Sequence, residues 1–356
     1  MEMTFRWFGK ELDTIPVKYI AQIPGVKGVV TTICNKKPGA LWTREEIKAL
    51  KADVSEAGLK ISGIESVNVH DDIKAGTGER DLYIENYIRT LEALGEEDIH
   101  MVCYNFMPVF DWTRTDLARQ LPDGSTAMAY EDEVVRSTDP EKMFDSIKNS
   151  ANGTIMPGWE PERVTEIRKL FDLYENISGE DLFNNLVYFV TAVMPVCNKY
   201  DIKMAIHPDD PAHSVFGLPR ILTDKKRILR LMEAVDDVHN GVTLCTGALG
   251  SDRSNDIPDI IRSLKGRIHF AHIRNIKYGD GRDFREASHL SQDGSFDMYE
   301  IVKTLIDTGF DGVVRPDHGR MIWGEKSIPG YGLYDRALGA TYINGLWEAV
   351  TKGKRQ

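Results

Sequence analysis

What this chain has little of narrows its class before any motif is read. Its 356 residues include four cysteines, Cys34, Cys103, Cys197 and Cys245. They are widely scattered with no CxxC pair, which excludes a disulfide scaffold. No apolar run approaches the roughly 18 residues that a membrane-spanning helix needs. The first residues, MEMTFRWFGKEL, lack the basic region, apolar stretch and cleavage site of a signal peptide. Positive charge is in deficit: 44 Lys and Arg against 55 Asp and Glu give a formal net charge of -11. Nonspecific attraction to nucleic acid or an anionic membrane is therefore not expected. No GxGxxG follows the first strand-like run, which argues against an open doubly wound sheet. The expectation is a cytoplasmic protein with reduced thiols and a small-molecule partner. Any charge that binds an anionic ligand must be local.

What is present is a regular alternation. Hydrophobic content of 42% and charged content of 28% are those of a globular chain. Short β-rich runs recur at Phe5–Phe8, Val26–Ile33, Lys60–Ser66, Ile99–Phe106, Lys203–His207, Val242–Cys245, Arg267–Ile273 and Gly312–Arg315. Amphipathic segments lie between them. TREEIKALKADVSEAG sets Ile47, Leu50 and Val54 on one stripe behind a capping box from Thr43 to Glu46. DMYEIVKTLIDTG does the same with Met298, Ile301, Val302 and Leu305. Eight strands alternating with helices predict an α/β fold, a (β/α)8 TIM barrel in a single domain spanning 1–356. The surplus length falls at 111–175, polar and turn-rich. This predicts an inserted, partly helical segment after strand four, at the barrel mouth and placed to act as a lid.

In such barrels the chemistry sits at the carboxyl ends of the strands. Four consecutive strands end in a metal-ligating residue at equivalent height: His207, Cys245, His272 and Asp317. Taken singly, each has an ordinary explanation. A strand-end histidine is often a hydrogen-bonded structural residue, a cysteine a small hydrophobe, and an aspartate a helix cap. Their coincidence on successive strands points to a metal site, and the donor types suit Mn²⁺, Fe²⁺, Co²⁺ or Zn²⁺ better than Mg²⁺ or Ca²⁺. Alternation puts Phe270, His272 and Arg274 on one face and turns His269 towards a helix. His213, His239 and His289 are expected in solvent.

The stretches FRWFG, HPDD, TLCTGALGS, HFAHIRN and VRPDHGRMIWGEK resemble the D-mannonate dehydratase family of the xylose-isomerase-like barrels, over essentially the whole chain. The resemblance implies a hydro-lyase that converts D-mannonate to 2-keto-3-deoxy-D-gluconate, with one Mn²⁺ or Fe²⁺ per site. It assigns the metal to His207, Cys245, His272 and Asp317, and catalysis to His318, Arg320 and a tyrosine of PGYGLYD. Tyr331 matches that tyrosine best, with Tyr334 close by.

The chemistry makes further demands. Ionised Cys245 and Asp317 cancel a divalent charge, so an anionic sugar acid needs other cations, and Arg320, Arg315 and Arg274 are offered. Elimination needs a base for the C2 proton and an acid for the C3 hydroxyl. The simplest division makes His318 the acid and Tyr331 the base, with the reverse open. An extended backbone would turn His318 away from Asp317, to face substrate rather than metal. Glu65, His70, Asn105 and Trp7 are candidates to hydrogen-bond or stack on sugar hydroxyls, and a homodimer is the expected assembly. The alternative function is a metal-dependent sugar isomerase or epimerase on the same barrel. An abasic-site endonuclease is disfavoured by net charge. A noncatalytic binder would not need His318, Arg320 and Tyr331.

Overall fold

A computed structural model describes residues 1–140 and 161–354. The expected strands form at β1 (Glu2–Arg6), β2 (Gly28–Thr31), β3 (Lys60–Glu65) and β4 (Met101–Tyr104). After β5 (Asp116–Gln120) and β6 (Thr126–Tyr130) come β7 (Lys203–Ile206), β8 (Asn240–Cys245) and β9 (Ile268–Ile273). The last three are β10 (Ile276–Tyr278), β11 (Phe284–Glu286) and β12 (Val313–Pro316). The barrel closes in the order β1, β2, β3, β4, β7, β8, β9, β12, every pair parallel. Its strands are buried on both faces, as parallel strands wrapped by helices must be.

Register puts the functional ends level. Cys245 pairs with His272, and His272 with Arg315. Beneath them, Val30, Met101, Cys103, Ala205 and Phe270 form a separate apolar layer inside the barrel. Phe270 meets the His272 ring edge-on at 4.4 Å, so the floor of the site is packed. Outside, helix Arg44–Ser55 carries the expected capping box and buries Ile47, Leu50 and Val54. Helix Met298–Asp307, capped by Asp297, buries Met298, Ile301, Val302 and Leu305. No described helix is long and apolar enough to cross a membrane.

The insertion differs from its expected form. Helices Asp132–Ser137 and Pro161–Tyr174 are present, but they follow an antiparallel hairpin of β5 and β6. That hairpin joins β10 and β11, from the loop after β9, in a second four-stranded sheet ordered β10-β11-β6-β5. Strands of only three to five residues leave little local periodicity, and the pairing of β6 with β11 is distant in sequence. Tyr130 pairs with Phe284 in register, their rings stacked at 5.3 Å. The expected lid falls partly on 141–160, outside the described residues.

Three histidines expected in solvent are buried. His213 Nε2 meets Tyr130 Oη at 3.1 Å, and His239 bridges Asp237 and Asp201 at 3.0 and 2.9 Å. His289 lies under helix Tyr334–Gly353, where a side chain in place of Gly339 would collide with it. Each of the three sits in a connection covered by elements distant in sequence, which local polarity does not reveal. His269 packs over Gly241 of the neighbouring strand.

Candidate active site at the carboxyl ends of the strands

The strand ends open into a cleft of about 920 Å³, counting the space at its mouth. His207, Cys245 and His272 each offer a donor atom, all within 4.8 Å of one another. His207 Nδ1 lies 2.7 Å from the Pro208 carbonyl. A carbonyl only accepts, so Nδ1 carries the proton and the Nε2 lone pair is free to bind a metal. His272 Nε2 is buried without a hydrogen bond among the described residues, although Glu65 Oε1 lies 3.5 Å away, and its Nδ1 lies 3.4 Å from Arg315 Nη2. Cys245 Sγ accepts the Ala248 N–H at 3.4 Å and lies 3.5 Å from Asp317 Oδ2. Two imidazoles and a thiol converging this closely are a donor set that a borderline divalent ion fits.

Glu65, Cys103 and His272 form a second close group, but it is a poorer cation trap. Glu65 is held bidentate by Arg315 at 3.0 and 2.9 Å, but Asp317 is paired to arginines too, so the thiol makes the difference. Burial, with Glu65 adding to it, pushes the Cys103 thiol well up and so keeps it protonated.

Asp317 receives two guanidinium groups, Arg315 Nη1 at 2.7 Å and Arg274 Nε at 2.8 Å. Burial alone would push its carboxyl up. Arg315 first, then His318, His272 and Arg274, instead hold it well below the usual carboxylate range. His318 lines the cleft beside Asp317 rather than turning away, because β12 ends at Pro316 and alternation ends with it. Its Nε2 lies 2.9 Å from Tyr331 Oη and its Nδ1 3.3 Å from Glu286 Oε1. Tyr331 lines the cleft, whereas Tyr334 is largely exposed at a helix start.

Of the cations offered by the sequence, Arg315 lines the cleft but is committed to Glu65 and Asp317. Arg274 lies wholly buried behind it, reaching Asp210 at 2.7 Å, and Gly247 leaves room for its side chain. Arg320 turns outward to Asp335 at 3.0 Å and Asp123 at 3.1 Å. Trp7 is packed in the core with its indole N–H donated to the Ile15 carbonyl at 3.2 Å. His70 caps helix Asp71–Ala75 and stacks on Tyr83. Glu65 and Asn105 line the cleft.

Sequence reasoning passed over four charged residues. Arg6 lines the cleft with its guanidinium 4.2 Å from the Phe8 ring centroid and 4.0 Å from Glu65. Alternation along β1 turns it inward with Thr4, a signal masked by the aromatic run FRWF. Arg114, Asp210 and Glu286 form a buried lattice with Arg274. Arg114 Nη1 meets Asp210 at 2.9 Å and its Nη2 meets Glu286 at 2.9 Å. Burial opposes both carboxylates, but Arg114 and Arg274 win, holding Glu286 at about 2 and Asp210 lower still. Only the buried apolar setting of FREAS and DWTRT hinted at this.

A family model described as D-mannonate dehydratase matches residues 1–356. A mannonate dehydratase of Brachyspira hyodysenteriae is 60% identical over 352 residues, 99% of each chain. One of Thermotoga neapolitana is 52% identical over 358 residues, covering 100% of this chain and 99% of its own. The solved mannonate dehydratase of Streptococcus suis serotype 2 superposes with a TM-score of 0.90 at 45% identity, covering 99% of this chain and 96% of the other.

Proposed function

The chain belongs to the D-mannonate dehydratase family, and from that premise we propose how it removes water from D-mannonate to give 2-keto-3-deoxy-D-gluconate. The observation that carries the reading is the 2.9 Å contact of His318 Nε2 with Tyr331 Oη on the wall of the cleft that His207 and Asp317 also line. His207, Cys245, His272 and Asp317 would hold one divalent ion, Mn²⁺ or Fe²⁺. When bound, that ion supplies a Lewis acid that neutralises the substrate carboxylate and acidifies the C2 proton.

The residues of the chain divide the proton work. Burial, ahead of Asp317 and Glu65 and against Arg315, pushes the Tyr331 phenol up. It therefore keeps its proton at neutral pH and is suited to be the acid. His318 presents Nδ1 to Glu286, which only accepts, so Nε2 carries the lone pair and takes the C2 proton. The C2–H pair becomes the C2–C3 double bond, the C3–O bond breaks, and the hydroxyl leaves as water with the Tyr331 proton. The enol tautomerises to the 2-keto acid. His318 then returns a proton to Tyr331 across their hydrogen bond. This is the reverse of the simplest division, and it follows from burial of the phenol.

Arg6 supplies the local positive charge that an anionic substrate needs, because two of its visible contacts are long bonds to the Trp7 and Val30 carbonyls. Arg315 and Arg274 act through Asp317, which they orient and keep ionised. Arg320 acts through Asp335, which ties the DHGR turn to the last helix. Glu65 and Asn105 are placed to meet substrate hydroxyls. The cysteines are free thiols, which suits a reducing cytoplasm, and a homodimer is the proposed assembly, testable by sedimentation. Metal analysis and keto-acid assay of Cys245→Ser and His272→Ala test the site. Metal and activity should vanish together, and stoichiometric metal in both variants would remove these residues from it.

A further inference from the structure

We infer that Glu286, contributed by the sheet outside the barrel, is the positioning residue that orients His318 and selects its tautomer for dehydration. The inference rests on the dehydratase reading. Glu286 ends β11, in register with Ile276 of β10, and is wholly buried. Its contacts are lopsided. Oε1 receives Arg114 Nη2 at 2.9 Å, Arg114 Nε at 3.3 Å and Arg274 Nη1, and it faces His318 Nδ1 at 3.3 Å. Oε2, also buried, has no hydrogen-bond partner among the described residues.

Asp210 shares with Glu286 the neutralisation of the two arginines, bonding Arg114 at 2.9 and 3.2 Å and Arg274 at 2.7 Å. What Glu286 adds is an acceptor fixed against the Nδ1 side of the imidazole. A neutral imidazole has one donor and one acceptor nitrogen. With Nδ1 donating to Glu286, Nε2 must accept, and it accepts from Tyr331 Oη at 2.9 Å. In the other tautomer, Nε2–H would face the Tyr331 O–H, and Nδ1 would set its lone pair against a carboxylate. Arg114 and Arg274 in turn clamp Oε1 so that it cannot follow a rotating ring. The second sheet thus does work at the barrel's centre: the hairpin segment brings Arg114, β11 brings Glu286, and together they hold a residue of strand β12's end.

The test is a double-mutant cycle. Glu286→Gln, which can turn an amide N–H towards Nδ1, should lower kcat by about 10²-fold or more, with metal content and KM near wild type. Glu286→Asp, which keeps the acceptor, should recover part of the loss. In a His318→Asn background, Glu286→Gln should cost less than about threefold, because no imidazole remains to be positioned. An equal loss in both backgrounds, or a wild-type kcat for Glu286→Gln, overturns the inference. If the Gln variant does not fold, the ¹⁵N shifts of His318 in the metal-free wild type decide, assigned by their loss in His318→Asn. A proton on Nδ1 supports the inference and one on Nε2 overturns it. A wild type that never dehydrates D-mannonate defeats the dehydratase reading instead, and the ¹⁵N measurement still judges Glu286.

Discussion

His318 and Asp317 are adjacent in the chain, share one cleft wall, and are held there by different partners. Asp317 is fixed by Arg315 and Arg274, His318 by Tyr331 and Glu286. The two functions should therefore separate. His318→Asn keeps the donor set and Arg6 in place, so metal content and substrate affinity should persist while kcat falls about 10²–10⁴-fold. Loss of metal in that variant would put His318 in the ligand sphere. Arg6→Ala should act on affinity. A charge-assisted hydrogen bond contributes about 1.5–3 kcal/mol, so KM should rise about 10–100-fold with a smaller change in kcat, and steady-state kinetics of the two variants distinguish the roles. At this scale the strand-end donors were legible because His, Cys and Asp are out of place at the ends of apolar runs. Arg6 was not, since an arginine inside FRWF looks like a snorkelling surface residue until closure of the barrel gives its face an inside.

Elements were legible where their pattern is local. The eight barrel strands and the capped helices carry their own period, whereas the two short pairs β5–β6 and β10–β11 join into one sheet only through pairing between segments some 150 residues apart, such as Tyr130 with Phe284. Arg114 and Glu286 belong to that sheet region, so their place at the site could not be read from motifs. The link between sheet and barrel has a pH signature. His213, in the connection after β7, is pushed down to about 4, by burial first and then by Arg282, with Asp132 and Asp252 opposing. A histidine whose folded value lies below the unfolded value of about 6.5 holds its full contribution above that pH. The contribution is lost as pH falls through the folded value, because the unfolded chain takes up the proton first. His269 is pushed down to about 4 as well, again mainly by burial. The melting temperature should therefore decline as pH is lowered from about 6.5 to 4, and His213→Gln should flatten that slope. Identical slopes for both proteins would show that His213 titrates freely in the fold.

The whole molecule couples its stability to its site. An ion that binds only the native state adds stability by mass action, about 2.7 kcal/mol when free metal is a hundredfold above its dissociation constant. Chelation should lower the melting temperature and Mn²⁺ should restore it. Cys245→Ser should be insensitive to both treatments, and calorimetry with and without chelator reads this directly. The central claim, however, is a reaction. Elimination across C2 and C3 followed by tautomerisation introduces a single solvent hydrogen at C3, while an isomerase or epimerase on the same barrel would exchange hydrogen without losing water. The most direct measurement is therefore the NMR spectrum of D-mannonate incubated in D₂O with metal-stripped protein, before and after Mn²⁺ or Fe²⁺ is added. The account predicts no change before the metal and, after it, 2-keto-3-deoxy-D-gluconate carrying one deuterium at C3. Recovered hexonate with deuterium at C2 and no keto acid, or no reaction once metal is restored, would contradict it.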